Sequence, residues 1–203
     1  MRKITVITAD IIDSRNHPNF EKSLSAKLAK LDHPAIISTF SISRGDEIQG
    51  ITEGWLTAPE IIRYLRYHCR PLKLRIGIGF GAIEDDEIEK SSWLMNGPPF
   101  YLARTALEEV QKLRDTLTLI KTGESEFDKF VNCIWLLIDT IQDRWTDEQW
   151  EAVHIYDSNG TYEEASKQLG ISMQNVQKRC KAARWNQINQ AEKILKEIQS
   201  YLG

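Results

Sequence analysis

Residues 34–54 read PAIISTFSISRGDEIQGITEG. Apolar and polar residues alternate up to Gly45-Asp46 and alternate again beyond it, the pattern of two antiparallel strands joined by a tight turn. The turn carries Asp46 and Glu47 side by side, with Arg44 just before the glycine. Asp and Gly favour turns for backbone reasons alone, so a solvated acidic tip is the plain reading. A second acidic stretch, TADIIDSR at 8–15, offers another. It closes a β-branched run, KITVITADII, that fits a buried strand. Asp10 stands at the end of that strand, with Asp13 just beyond.

The rest of the first 124 residues fills in around these two segments. A helix starting at Asn19 carries Phe20, Leu24, Leu28 and Leu31 on one side. Thr57, Pro59 and Glu60 open a second helix with a capping box and an early proline. LKLRIGIGFGAI (72–83) is a strand with isoleucines and Phe80 on one face and Gly77, Gly79 and Gly81 on the other. A helix from about Pro99 to Leu113 and a strand LTLIKT follow. The order is β-α-β-β-α-β plus one more helix and strand, the split βαβ pattern of a ferredoxin-like sheet with helices on one face. The fold class expected is therefore α+β, with the sheet domain at residues 1–124 and TGESEFD as the hinge.

In such a sheet the first strand lies beside the central hairpin, so Asp10 and Asp46 converge at one edge. Like charges brought together are unfavourable unless a proton or cation intervenes. A hard divalent ion such as Mg²⁺ or Mn²⁺, held by carboxylates and substrate phosphates, resolves the conflict. Glu47 is a further metal-ligand candidate; Asp13 and Arg44 are candidates for nucleotide contact. The glycine run GIGFGA formally satisfies GxGxxG/A, but that fingerprint needs a helix immediately after the strand. The acidic stretch IEDDEIEK follows instead, which argues against a dinucleotide site. A bare glycine face lets a helix or a base approach the sheet closely.

Residues 125–203 read as helix throughout. Phe127, Phe130, Val131, Ile134, Leu137, Ile138 and Ile141 recur at helical spacing, as core or as an interface. Capping boxes at Thr146/Gln149 and Thr161/Glu164 open two further helices. Gly170 ends the second of these and Ser172 caps the next, which is expected to continue past Trp185. Ile188, Leu195, Ile198 and Leu202 form a closing stripe. TYEEASKQLGISMQNVQKRCKAAR follows the grammar of a helix-turn-helix. Ala165 is small at a helix crossing, Leu169 and Ile171 bracket the turn, and Val176 and Cys180 face inward. That leaves Gln174, Asn175 and Gln177 as candidate base readers and Lys178, Arg179 and Lys181 as phosphate contacts. Between Lys167 and Arg184 there are five basic residues and no acidic one, within a chain of net charge −3. The alternative is a helical hairpin that serves only as a dimer or partner surface. A homodimer would suit double-stranded DNA, because recognition helices must sit about 34 Å apart.

The motifs also carry resemblances. TADIIDSR, SRGDEIQG and RIGIGFGAI, in that order, resemble the palm of the class III nucleotidyl cyclases, and GDEI is similar to the GGDEF signature of diguanylate cyclases. The resemblance implies Asp10 and Asp46 as metal ligands, the Ile11 carbonyl as a third, and Arg104 in FYLAR as the residue that stabilises a transferring phosphate. Ile42 and Phe100 depart from it: ATP-using cyclases have a lysine and an asparagine there, which counts against cyclisation. WTDEQWEAVHIY and the helix-turn-helix resemble sigma-factor region four. ADIIDSR, GDEIQG, RIGIGFG, GPPFYLAR and WTDEQWEAV together resemble the SatD family of bacterial proteins.

Three scattered cysteines fit a reduced, cytosolic protein, and no segment has the apolar length of a membrane span. The expected role is a cytosolic DNA-binding regulator whose palm domain binds a nucleotide or metal. The alternative is a metal-dependent nucleotidyl cyclase or other nucleotide-phosphate enzyme positioned by its helical tail. No residue is assigned to a chemical step.

Overall fold

The computed structural model describes residues 1–17, 20–43, 45–55, 59–84 and 91–198. The expected helix start at Asn19, the capping box at Thr57, Leu202 and most of IEDDEIEK lie outside them. The chain is a mixed α+β protein. Its first part runs β1 (Arg2–Ile11), α1 (Phe20–Leu28), β2 (Ile36–Ser43), β3 (Glu47–Glu53), α2 (Glu60–Cys69), β4 (Leu74–Ile83), α3 (Pro98–Val110) and β5 (Thr118–Lys121). The strands form one sheet in the order β2-β3-β1-β4-β5. All neighbours are antiparallel except β4 and β5, which the α3 crossover joins in parallel.

Strand alternation sends β1 side chains to two different cores. Ile7, Ala9 and Ile11 join Leu24 and Leu28 of α1 and Ile61, Ile62 and Leu65 of α2. Ile4 and Val6 join Ile51, Ile83, Met95 and Ala103 on the opposite face. Helices therefore cover both faces, where one covered face was expected. The glycines of β4 make this geometry fit. A Cβ at Gly77 would lie 2.3 Å from the Ala103 carbonyl oxygen, and one at Gly79 would lie 2.0 Å from that of Pro99. The backbone of α3 rests directly on the bare strand, so the glycine face serves helix packing.

The second part is α4 (Ser125–Gln142), α5 (Asp147–Asn159), α6 (Tyr162–Leu169), α7 (Met173–Ala182) and α8 (Trp185–Glu197). Thr146 and Gln149 form the expected capping box. The side chains of Thr161 and Ser172 accept from the backbone N–H three residues on. The expected continuous helix through Trp185 is two helices. Arg184 breaks it with φ 57°. Trp145 donates its indole N–H to the Ala183 carbonyl at 2.7 Å, and the break turns Trp185 inward beneath Arg63. On α4, Val131, Trp135 and Ile138 are buried, whereas Phe130 and Leu137 stay 58% and 61% exposed. The apolar stripe is thus core on one side and uncovered on the other.

Two buried arginines of α2 fasten the parts together. Arg63 donates to Glu192 of α8 and Asp157 of α5, each at 2.9 Å, with Trp185 stacked 4.5 Å from its guanidinium. Arg66 donates to Asp139 at 2.6 Å, Gln142 at 2.7 Å and Thr118 at 2.6 Å. Asp139 also accepts the backbone N–H groups of Leu117 and Thr118. Each buried guanidinium is thus paired with carboxylates, as burial of a charge requires, although Nη1 of Arg63 has no hydrogen-bond partner among the described residues. Among the described residues no helix is long and apolar enough to cross a membrane.

Candidate functional site

The strand register builds a charged row. Asp10 is directly opposite Glu47 on β3 and Arg75 on β4. Directly opposed residues of antiparallel strands point to the same face. Asp10 shares its face with Ile4 and Val6, so the row lies on the α3 side, at the sheet edge where β1 ends and β4 begins. Two acids and a base thus stand abreast, half-buried, under one helix.

The contacts follow from that placement. Asp10 Oδ2 lies 3.8 Å from Arg75 Nη1 and accepts from Gln111 Nε2 at 3.2 Å, just past the end of α3. Arg104, projecting from α3, pairs with Glu47. Asp46, at the hairpin tip, accepts from the Ser14 hydroxyl at 2.6 Å. It has no ion-pair partner among the described residues. Burial raises the Asp10 carboxyl pKa above its ordinary value; the charges of Asp46 and Glu47 raise it further, against the pull of Gln111 and Arg75. Asp10 and Asp46 therefore feel one another.

The remaining expected site residues fall differently. The Ile11 side chain is in the core on the other face, which leaves only its carbonyl for any ligand. Asp13 is exposed in the turn after β1, in the left-handed region, and makes no capping bond. Arg44 lies outside the described residues. Arg75, Gln111 and Ser14 join the site without having been foreseen. Arg75 and Ser14 stand inside motifs read for other reasons, and only the register reveals that Arg75 faces Asp10. Among the described residues no group of three or more His, Cys, Asp or Glu is arranged to hold a metal ion.

The helical part presents a second charged surface. α6 and α7 meet at Gly170, whose φ of 64° suits glycine. Ala165, Val176 and Cys180 are buried. Gln174, Asn175, Gln177, Lys178 and Lys181 are exposed, and Arg179 is half-buried near Glu148. Lys178 and Lys181 have no carboxylate partner among the described residues. Lys167, by contrast, pairs with Glu163 and Glu164 along α6.

A sequence-family model described as the SatD family matches residues 4–193, spanning both the sheet and the helical part. No curated protein sequence matches the chain.

Proposed function

The chain belongs to the SatD family, and on that premise we propose that it is a DNA-binding regulator whose sheet domain senses a nucleotide or a metal-bound phosphate ligand. The observation that carries this reading is the outer face of α7. Gln174, Asn175, Gln177, Lys178 and Lys181 are exposed on α7, which follows α6 across the turn at Gly170, opposite the buried Val176 and Cys180. Gln and Asn suit base edges, and Lys suits phosphates. The strand order supports reading residues 1–124 as a ferredoxin-like, cyclase-type palm, with residues 125–203 as the helix-turn-helix domain. The exposed Phe130 and Leu137 are the surface on which a homodimer would form.

The residues fit a divalent cation in one specific way. Glu47 is held by Arg104 and Asp10 is partly offset by Arg75, so there is no preformed carboxylate cage. Asp10 and Asp46, with the Ile11 carbonyl, would supply two or three oxygens. Mg²⁺ and Mn²⁺ are commonly held by one or two carboxylates while phosphate and water fill the other positions. The metal would supply charge neutralisation for the phosphates. Asp10 would lose its excess proton affinity on binding, and Arg104 could exchange Glu47 for a phosphate oxygen.

Fluorescence anisotropy with mixed-sequence duplex DNA tests the regulator reading. Affinity is expected to fall linearly with log salt concentration. Lys178→Ala/Lys181→Ala should reduce the slope by about 2, one per phosphate contact. No binding even at low ionic strength would end this reading. A second reading, a nucleotide-phosphate enzyme, draws on Arg104 standing over the acidic row. It requires turnover of ATP or GTP with Mn²⁺ that Asp46→Asn abolishes. Ile42 and Phe100, where ATP-using cyclases differ, weigh against cyclisation.

A further inference from the structure

Beside the acidic row lies an open cavity of about 520 Å³, bounded by the start of β4, the turn between α3 and β5, and the end of α4. Four cationic side chains line it: Lys73, Arg75, Arg114 and Arg144. Its acids are Asp115, Asp139 and Asp143. Asp139 is already bound by Arg66 and by two backbone N–H groups, and Asp143 pairs with Lys73. Arg114 and Arg144 have no ion-pair partner among the described residues. Arg75 reaches from this cavity to Asp10, so the basic cavity and the acidic row are continuous.

Resting on the sensing role proposed above, we infer that this cavity is the subsite for a phosphate chain, the triphosphate of a nucleotide or an inorganic polyphosphate. Arg114 and Arg144, two guanidinium groups on one cavity without ion-pair partners among the described residues, match phosphate oxygens in charge and in bidentate geometry, and Arg75 stands beside them. With Asp139 and Asp143 taken by Arg66 and Lys73, Asp115 is the one lining acid without an ion pair among the described residues, and the recessed wall keeps a positive excess that favours an anion. The arginines come from separate elements, Arg75 from β4, Arg114 from the turn before β5 and Arg144 from the turn before α5. A chain of phosphates spans such a triangle better than a single carboxylate does. With its phosphates here, a nucleotide directs one end toward Asp10 and Asp46. Arg144 stands two residues before the Thr146 cap of α5, the helix on which α6 and α7 are packed, so the ligand would touch both parts of the protein.

Isothermal titration calorimetry of the full chain with inorganic tripolyphosphate, without divalent metal, is the test. Binding is expected, and Arg114→Ala/Arg144→Ala should weaken it at least tenfold. Because both arginines are exposed, the variant should melt at the wild-type temperature, with Arg114→Lys/Arg144→Lys recovering part of the affinity. No tripolyphosphate binding, or binding that the double substitution leaves unchanged, overturns the inference. A nucleotide panel separates the two readings. Nucleotide binding that is indifferent to Arg114 and Arg144 removes the subsite and leaves sensing intact. Arginine-dependent tripolyphosphate binding without binding of any nucleotide retains the subsite and removes the nucleotide.

Discussion

Arg66 and Arg104 each pair with a carboxylate, and each projects from a helix that covers the same sheet, one on either face. Arg66 is buried, and three side chains from β5 and α4 use its donors. Arg104 is 39% exposed and has Glu47 as its ion-pair partner. The first arrangement leaves nothing to exchange: its charges are desolvated, and removing one strands the other. The second can release its carboxylate to water or to an incoming anion at small cost. Burial and partner number, rather than the presence of an ion pair, distinguish a fastening from a site. Arg63 belongs with Arg66; Arg75, Arg114 and Arg144 belong with Arg104.

That contrast can be broken by measurement. Arg66→Ala should lower the unfolding free energy by about 3–5 kcal/mol in chemical denaturation, because Asp139 is left as an uncompensated buried charge. A loss no larger than that of Arg104→Ala would dissolve the distinction. Gly79→Ala probes the mount that carries Arg104. Its Cβ would meet the Pro99 carbonyl at 2.0 Å, so α3 must shift, at a cost of about 1–3 kcal/mol.

A histidine on the fastening side sharpens the comparison through pH. His154 of α5 stacks on Tyr67 of α2 with ring centroids 3.8 Å apart. Burial, with help from the charges of His68 and Arg63, lowers its pKa to about 4. The unfolded chain then takes up a proton near the ordinary value of about 6.5, where the folded one does not. The stability contribution is complete above that value and is lost as pH falls through about 4. Allowing for partial exposure, the loss is on the order of 1 kcal/mol. Thermal melts between pH 7 and 4 should show it, and His154→Gln should flatten the profile. Arg104→Ala should change stability by less than about 1 kcal/mol while weakening nucleotide binding. Smallest of all, Lys178→Ala/Lys181→Ala should shift stability by no more than about 0.5 kcal/mol, with its whole effect on DNA affinity.

The elements that could be read from the chain are those whose signals are local. The hairpin at Gly45-Asp46, the two-faced strand at 74–83 and the caps at Thr146, Thr161 and Ser172 rest on turn chemistry and on periods of two or 3.6. The proximity of Asp10 to the hairpin acids followed from strand order alone. The row from Glu47 through Asp10 to Arg75 did not, because it depends on register between strands distant in sequence. Arg63 and Arg66 read as ordinary polar positions of a helix; only the docking of α4, α5 and α8 buries them. The break at Arg184 carries no glycine or proline, and tertiary contacts of Trp145 and Trp185 impose it. On α4 the apolar pattern was legible, but not that Phe130 and Leu137 would be left outside the core.

A regulator of the proposed kind requires communication between the charged sheet edge and α7. The most direct test is the affinity of the full chain for duplex DNA, measured by anisotropy at fixed salt with and without a saturating nucleoside triphosphate and Mg²⁺. The expected change is about fivefold or more, the size of an ordinary coupling between two sites, and it should be absent in Arg114→Ala/Arg144→Ala. Equal affinity in both conditions, with nucleotide binding verified by calorimetry, would contradict that communication.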